Sequence, residues 1–275
     1  MRLQRPKRSH EVLVRLAQDA LEREEYEEAQ ALARRALMVR PDSLVARQVV
    51  ASSLIEKGEF DEAILLLTEI LAQDPNDLPA LADLGLCLFE TCRFDEAEAA
   101  LTRALEVEPN DPQARYWLAV CLERRGDYEA AEECFTLANE ADHDAYPLPT
   151  RISDAAFRRA LDEALGQVPE EIHRQIENLK IIVDDLPREE DLTDCDPPLD
   201  PCLYGLYVGI PLTERSVDDP QRPRLPDRIY LYKRNLERFC GTRDVLVQEI
   251  RITLLHEIGH YLGFDEDELA ERGLA

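Results

Sequence analysis

The chain has 275 residues, of which 45% are hydrophobic and 33% are charged, so it is long enough for two globular units and its composition excludes a disordered protein. Its 32 basic and 58 acidic residues give a formal net charge of −26. Such a charge repels phosphates, so we expect no nucleic-acid partner and a solvated basic arm at residues 1–9. No apolar run is long enough to cross a bilayer and no signal-peptide core follows the basic start. We therefore expect a cytoplasmic protein without a membrane partner.

The chain contains seven cysteines, an odd number. No two of them form a C-x-x-C pair, so the sequence indicates neither a disulfide framework nor a thiolate zinc site. We expect most of these residues to be small buried side chains.

Residues 10–145 repeat at a spacing of 34, which is clearest when Pro41, Pro75 and Pro109 are aligned. In the same register an aromatic residue and an alanine recur in every unit. The aromatic column holds Tyr26, Phe60, Phe94 and Tyr128, and the alanine column holds Ala29, Ala63, Ala97 and Ala131. A unit of this length, with an aromatic residue before its second helix and a proline after it, resembles the tetratricopeptide repeat.

The resemblance implies an all-α solenoid of stacked helical hairpins. The four hairpins are expected at residues 10–43, 44–77, 78–111 and 112–145. In the third hairpin the two helices are predicted at 78–92 and 94–108. The groove of such a solenoid commonly holds a peptide or a partner helix, which implies a protein or peptide partner. The alternative is an array that only spaces, dimerises or shields the domain that follows it.

Two prolines interrupt the helical pattern after the repeats, and we predict a linker at 146–152 and a second domain at 153–275. A helix that Ser153 and Asp154 can cap is predicted to end near Gly166. The remaining elements, in chain order, are a helical turn at 169–179, a strand at 180–186, an acidic proline-rich loop at 186–202, strands at 203–212 and 228–234, and a long helix at 243–263.

The long helix carries the motif H-E-x-x-H. His256 and His260 are four residues apart, so they project from one helix face and can place two imidazole nitrogens on one ion. Glu257 lies one residue further round, beside the metal, where it can take a proton from a zinc-bound water. Gly263 is expected to stop the helix, so that the chain turns back and a nearby acid becomes the third ligand.

The third ligand is predicted to be Glu266, because the pattern H-E-x-x-H-x-x-G-x-x-acid resembles the opening of the metzincin motif. Its neighbour Asp265 is the alternative. No methionine follows the second histidine, so the Met-turn of metzincins is missing. A distant glutamate of the gluzincin type is disfavoured, since only Glu268 or Glu271 is available.

Residues 153–275 resemble a bacterial family of minimal zincin-like metallopeptidases. The segments that carry the resemblance are YGLYVGIPLTERS, LPDRIYLYKRNL and RITLLHEIGHYLGFDEDELAERG. The family implies a small α/β domain with a mixed sheet of three to four strands, an active-site helix and one Zn²⁺ per chain. It also implies peptidase activity, in which a zinc-bound water attacks a peptide carbonyl and Glu257 is the general base and acid.

A peptide substrate would pair with an edge strand, either 203–210 or 228–233. The candidate substrate contacts are Tyr261, Tyr230, Tyr232 and Arg215, although aromatic residues of a strand more often belong to the core or a pocket wall. Two other functions stay open: an adaptor whose zinc domain is structural or inactive, and zinc-dependent hydrolysis of a non-peptide amide. The acidic loop could also cover the cleft and make the enzyme latent.

Overall fold

The structure is a computed structural model that describes residues 5–177, 179–214 and 227–272, with side chains from residue 9. The chain divides into two compact units, Met1–Tyr146 and Pro147–Ala275. Within the described ranges, every helix is too short or too polar to span a membrane.

The first unit consists of eight helices arranged as four consecutive hairpins, which confirms the predicted repeat architecture. The helices are α1 (Arg5–Glu22), α2 (Tyr26–Val39), α3 (Leu44–Glu56), α4 (Phe60–Gln73), α5 (Leu78–Glu90), α6 (Phe94–Val107), α7 (Pro112–Arg125) and α8 (Tyr128–Ala141). Helices α3, α5 and α7 each begin after a capping residue, Ser43, Asp77 or Asp111, whose side chain accepts a backbone N–H of the first turn.

Small residues allow the paired helices to approach closely. All four members of the alanine column are fully buried. In the third hairpin, Gly85 of α5 faces Leu101 of α6 so closely that a Cβ at residue 85 would overlap the leucine side chain. The first helices of the hairpins, α1, α3, α5 and α7, also contact one another in succession, whereas no pair of second helices in the described residues is comparably close. The first helices therefore line the inner face of the array.

The second unit is a small α/β domain. Its elements are α9 (Asp154–Gly166), α10 (Glu170–Ile176), β1 (Lys180–Asp184), α11 (Glu189–Thr193), β2 (Gly205–Val208), a 3-10 turn (Leu212–Glu214), β3 (Arg228–Tyr232), α12 (Lys233–Phe239), α13 (Arg243–Leu262) and α14 (Glu266–Glu271). The three strands lie in the order β1-β3-β2, with β1 parallel and β2 antiparallel to β3. The sheet is thus mixed and three-stranded in the described residues.

The core of this unit lies between one face of the sheet and the helices α9 and α13. Ile229 and Leu231 of β3 are completely buried against Phe157 of α9 and against Ile250 and Leu254 of α13. Burial of such side chains stabilises the domain by about 1.5–3 kcal/mol each.

Three short helices differ from the sequence prediction. Helix α11 lies in the segment that we predicted as an acidic loop, where it buries Leu192 completely and places three acids in its first turn, at the positive end of the helix. Helix α12 begins directly after β3, at a position predicted to continue the strand, and α14 follows α13.

Residues that we predicted as linker are fixed to α12. The buried carboxylate of Glu237 accepts the backbone N–H of Ile152 at 3.0 Å and pairs with Arg151 at 3.2 Å and Lys233 at 3.4 Å. The backbone N–H of Thr150 donates to the carbonyl of Glu237 at 2.7 Å. These bonds attach residues 150–152 to the second unit.

We predict that Gly85→Ala destabilises the first unit, although glycine to alanine in a helix usually gains about 1 kcal/mol. The new methyl group overlaps Leu101, which should cost about 1–3 kcal/mol. Urea unfolding followed by the fluorescence of Trp117, the single tryptophan, reports this unit. In a Leu101→Ala background the same change should instead be stabilising; a higher midpoint for Gly85→Ala alone would contradict the packing argument.

Candidate metal centre

Helix α13 presents two histidines to the same point. The helix is capped at its start by Thr242, whose side chain accepts the backbone N–H of Val245, and it ends at Gly263. The four-residue spacing places His256 and His260 on one face, with ring centroids 4.6 Å apart and Nε2 atoms 2.9 Å apart. Both rings are partly accessible.

A carboxylate from the next helix completes the cluster. Glu266 is the first residue of α14, and its Oε1 and Oε2 lie 3.2 Å from Nε2 of His260 and 3.8 Å from Nε2 of His256. One ligand atom from each of the three residues lies within 4.8 Å of the other two. Two imidazole nitrogens and one carboxylate oxygen are the donor set of many catalytic zinc sites.

The turn after α13 brings α14 back to the histidines. Gly263 has φ +97°, a left-handed conformation, and the side chain of Thr213 lies so close that a Cβ would overlap it. Leu269 of α14 is buried where Gly259 leaves room on α13. Gly263 therefore allows the tight turn, and Gly259 allows Leu269 of α14 to pack closely on α13.

The same turn orients one histidine ring. The carbonyl oxygen of Phe264 lies 3.3 Å from Nδ1 of His260. When Nδ1 carries the proton and donates to this carbonyl, Nε2 keeps its lone pair and faces the cluster. A backbone group thus selects the tautomer that a metal ligand needs.

Asp265 has a different role from its neighbour. Its carboxylate accepts the backbone N–H of Glu268 at 2.9 Å, and the carboxylate of Glu268 accepts the backbone N–H of Asp265 at 3.1 Å. This reciprocal pair is a capping box at the start of α14. Both carboxylates bond to the helix end, whereas Glu266 points to the histidines.

Glu257 is buried between α13 and the sheet, with 6% of its surface exposed. Burial raises the pKa of Glu257 to about 7; His256 and a hydrogen bond from the backbone of Tyr207 oppose the rise, and Glu266 adds to it. A carboxylate with this pKa can both accept and release a proton near neutral pH.

Gly205 of β2 makes this burial possible. A Cβ at residue 205 would lie 3.0 Å from Cγ and Oε1 of Glu257 and 2.8 Å from Cγ2 of Thr253. Gly205 and Tyr207 are not among the residues that the sequence predicts for the site. A glycine inside a predicted strand is a signal of close approach and could have identified the first of them.

The sheet order decides between the two candidate substrate strands. Because β3 pairs with β1 on one side and with β2 on the other, it has no free edge for a peptide, and that alternative is wrong. Tyr232 of β3 donates its backbone N–H to the carbonyl of Tyr204 at 2.8 Å. By the alternation of an antiparallel pair, the backbone groups of Gly205 and Tyr207 face the outer edge of β2, which pairs with no other strand in the described residues.

A cleft of about 360 Å³ lies beside this edge. Tyr207, Pro211, His260 and Phe264 are among the residues that line it. The cleft therefore connects the strand edge to one of the two histidines, which is the arrangement that an extended ligand would need.

The residues predicted to contact a substrate differ in how accessible they are. Tyr232 and Tyr261 are 1% and 3% exposed, so their positions do not support the predicted substrate contacts. The hydroxyl of Tyr261 donates to the carbonyl of Gln175 at 2.8 Å. Tyr230 is half-buried, and its hydroxyl accepts from Arg228 at 3.3 Å. Arg215 lies outside the described residues.

We predict opposite effects of removing two tyrosine hydroxyls. The hydroxyl of Tyr232 is buried without a hydrogen-bond partner in the structure, and burial raises the pKa of this group. Tyr232→Phe should therefore be neutral or stabilising. Tyr261→Phe should cost about 0.5–1.5 kcal/mol, because the carbonyl of Gln175 loses its donor. Urea unfolding followed by far-ultraviolet circular dichroism measures both, and a destabilised Tyr232→Phe protein would show that its hydroxyl has a partner.

The comparisons with known proteins agree with both parts of the architecture. Residues 176–274 match the model of the zincin-like metallopeptidase family, and residues 20–84, 54–113 and 93–148 match the model of the tetratricopeptide repeat. Among curated proteins, none matches the chain significantly.

Solved structures of MamA proteins resemble part of the chain. The structure titled MamA MSR-1 C2 is 26% identical and has a TM-score of 0.41, over 50% of this chain and 78% of that chain. MamA from Desulfovibrio magneticus RS-1 is 21% identical with a TM-score of 0.44, over 49% of this chain and 76% of that chain. TM-scores below 0.5 are too low to assign a function. From the two family models, the chain combines tetratricopeptide repeats at residues 20–148 with a domain of the zincin-like metallopeptidase family at residues 176–274.

Proposed function

We propose that this protein is a zinc-dependent peptidase whose repeat array recruits a protein partner or substrate. The observation that carries the proposal is the cluster of His256, His260 and Glu266, with the buried carboxylate of Glu257 beside it. Membership of the second unit in the zincin-like metallopeptidase family supports it. A cytoplasmic location is part of the proposal and rests on the sequence.

The three side chains fit a zinc ion in their chemistry. Both Nε2 atoms and the carboxylate oxygens of Glu266 converge, and the carbonyl of Phe264 favours the tautomer of His260 that directs a lone pair to the same point. Converging lone pairs repel each other unless a cation lies between them. His256, His260 and Glu266 would hold the ion, and Asp265 is less suited because its carboxylate caps α14.

The proposed reaction gives separate roles to the metal ion, to Glu257 and to the backbone of Tyr207. A bound zinc ion supplies Lewis-acid chemistry, since it polarises a carbonyl and lowers the pKa of a water molecule to about 7. Glu257 accepts the proton of the attacking water and delivers it to the leaving amine, a role that its pKa of about 7 favours. The Tyr207 backbone N–H holds this carboxylate in place.

We assign the alignment of the substrate to the outer edge of β2, which pairs with no other strand in the described residues. The backbone groups of Gly205 and the carbonyl of Tyr207 can pair with an extended peptide as a further strand, while the N–H of Tyr207 donates to Glu257. The bound segment then passes the histidines in a fixed direction. Main-chain pairing of this type binds many sequences, and the side chains that line the cleft then select among them.

We predict that the purified protein contains about one zinc ion per chain. His256→Ala, His260→Ala and Glu266→Ala should each lose the ion, because two remaining protein ligands do not hold zinc against a chelator. Asp265→Ala is the matched control: it removes a helix cap, costs about 1 kcal/mol of stability and keeps the ion when zinc is in excess. Metal analysis by plasma mass spectrometry measures all four variants.

Two results would overturn this ligand assignment. Wild-type protein without zinc, prepared without chelators, would remove the metal site altogether. Loss of the ion from Asp265→Ala but not from Glu266→Ala would exchange the roles of the two neighbours.

For the reaction, Glu257→Gln is expected to keep the zinc ion and to lose about 10²–10⁴-fold in turnover, because an amide cannot accept the proton. Cleavage of an unbiased peptide library, analysed by mass spectrometry, measures the activity. Glu271→Gln, an equal charge change at an exposed position of α14, should leave it unchanged. Wild-type protein that holds zinc and cuts no peptide would favour the adaptor, a latent enzyme or a hydrolase of non-peptide amides.

A further inference from the structure

Two repeats direct amide side chains at a carboxylate of the repeat between them, on the inner face of the array. Asp83 of α5 accepts a hydrogen bond from Nε2 of Gln48 on α3 at 2.7 Å and another from Nε2 of Gln113 on α7 at 2.8 Å. These helices are the first helices of their hairpins, which line the inner face. The carboxylate is held in a fixed position yet keeps part of its surface accessible.

The surroundings of Asp83 disfavour its charge. Burial raises the pKa of Asp83, the two amides oppose the rise, and Asp77 and Asp111 add to it. A desolvated carboxylate near other acids is unfavourable, so an incoming cation would gain more here than at an exposed acid.

Two aromatic side chains lie near one of the amides that bind this carboxylate, since Tyr116 follows Gln113 by three residues on α7 and shares a helix face with it. Burial raises the pKa of Tyr146, and Asp111, Asp142 and Asp83 raise it further, which places the tyrosine in the field of the same acids. The rings of Tyr146 and Tyr116 are tilted against each other with centroids 5.4 Å apart, and both side chains are half-buried. A carboxylate beside aromatic faces suits a flat cation, which can donate to one and stack on the other.

We propose that the Asp83 site, formed by Gln48, Asp83, Gln113, Tyr116 and Tyr146, receives a cationic side chain, preferentially arginine, of the protein partner. The inference rests on the part of the proposed function that gives the repeats a protein partner. Charge complementarity carries it, because an anionic partner would be repelled by Asp83 and by the neighbouring acids Asp77 and Asp111. Arginine is favoured over lysine because the planar guanidinium forms two parallel hydrogen bonds and also stacks on a ring.

A random dodecapeptide library displayed on phage and selected at 0.15 M salt tests this proposal. The target is the full chain with Glu257→Gln, so that bound peptides are not cut. We expect enriched peptides to carry arginine at one fixed position. A synthetic peptide with the enriched sequence should bind at least tenfold more weakly after Asp83→Asn, and a citrulline in place of its arginine should weaken binding to the same extent.

The two changes together should weaken binding no more than either alone, because both remove the same ion pair. Glu106→Gln, at an exposed acid of α6, is the matched control and should leave the affinity unchanged. Enriched peptides without a fixed cationic position, equal affinity for the Asp83→Asn protein, or no enrichment at all would overturn the proposal.

A purely structural role of Asp83 predicts a different result. If the carboxylate only joins the repeats, Asp83→Asn should lower the urea midpoint reported by Trp117 and leave peptide affinity unchanged, which would also overturn the proposal. Zinc content and peptide cleavage, measured on the Asp83→Asn chain with Glu257 restored, should be unchanged. Wild-type protein that neither contains zinc nor cleaves peptides would refute the proposed reaction. The peptide selection would be unaffected, so the two proposals can fail separately.

Discussion

The second unit depends on how closely α13 packs against strand β2. Gly205 permits this packing, because any side chain there would meet Glu257 and Thr253. The buried residues Ile229 and Leu231 hold the sheet against the same helix from the neighbouring strand. This contact buries Glu257 and brings its carboxylate within hydrogen-bonding distance of the backbone of Tyr207. The histidines of the same helix thereby lie beside the only strand edge in the described residues that adjoins the cleft.

Elements with a long periodic pattern could be predicted from the sequence. The helices of the third repeat, predicted at 78–92 and 94–108, extend over Leu78–Glu90 and Phe94–Val107. The prediction is close because the same pattern recurs in four units, so each helix boundary is indicated four times. The short helices α11, α12 and α14 could not be predicted in this way. Five to seven residues contain too few periodic positions, and tertiary burial, as at Leu192, decides whether they form.

In the candidate site, too, regular spacing could be predicted from the sequence, whereas tertiary contacts could not. Helical spacing alone brought His256 and His260 together, since both lie on one regular element. The preference for Glu266 over Asp265 came from the resemblance to the metzincin pattern. The physical reason why Asp265 is less suited, its role as the cap of α14, could not be predicted from two adjacent acids in a sequence. Likewise, alternation along β3 predicts that Tyr230 and Tyr232 share a face, but only the structure shows that Tyr232 is buried there.

Helix α14 has six residues and is held by its cap and by Leu269. If Glu266 ligates the metal, as proposed, metal binding and the folding of this helix are thermodynamically coupled. Each process then stabilises the other by the same free energy. The affinity of the site then includes the cost of ordering the helix. Substitutions in α14 that touch no ligand would thus shift zinc affinity, by no more than the stability that they remove from the helix.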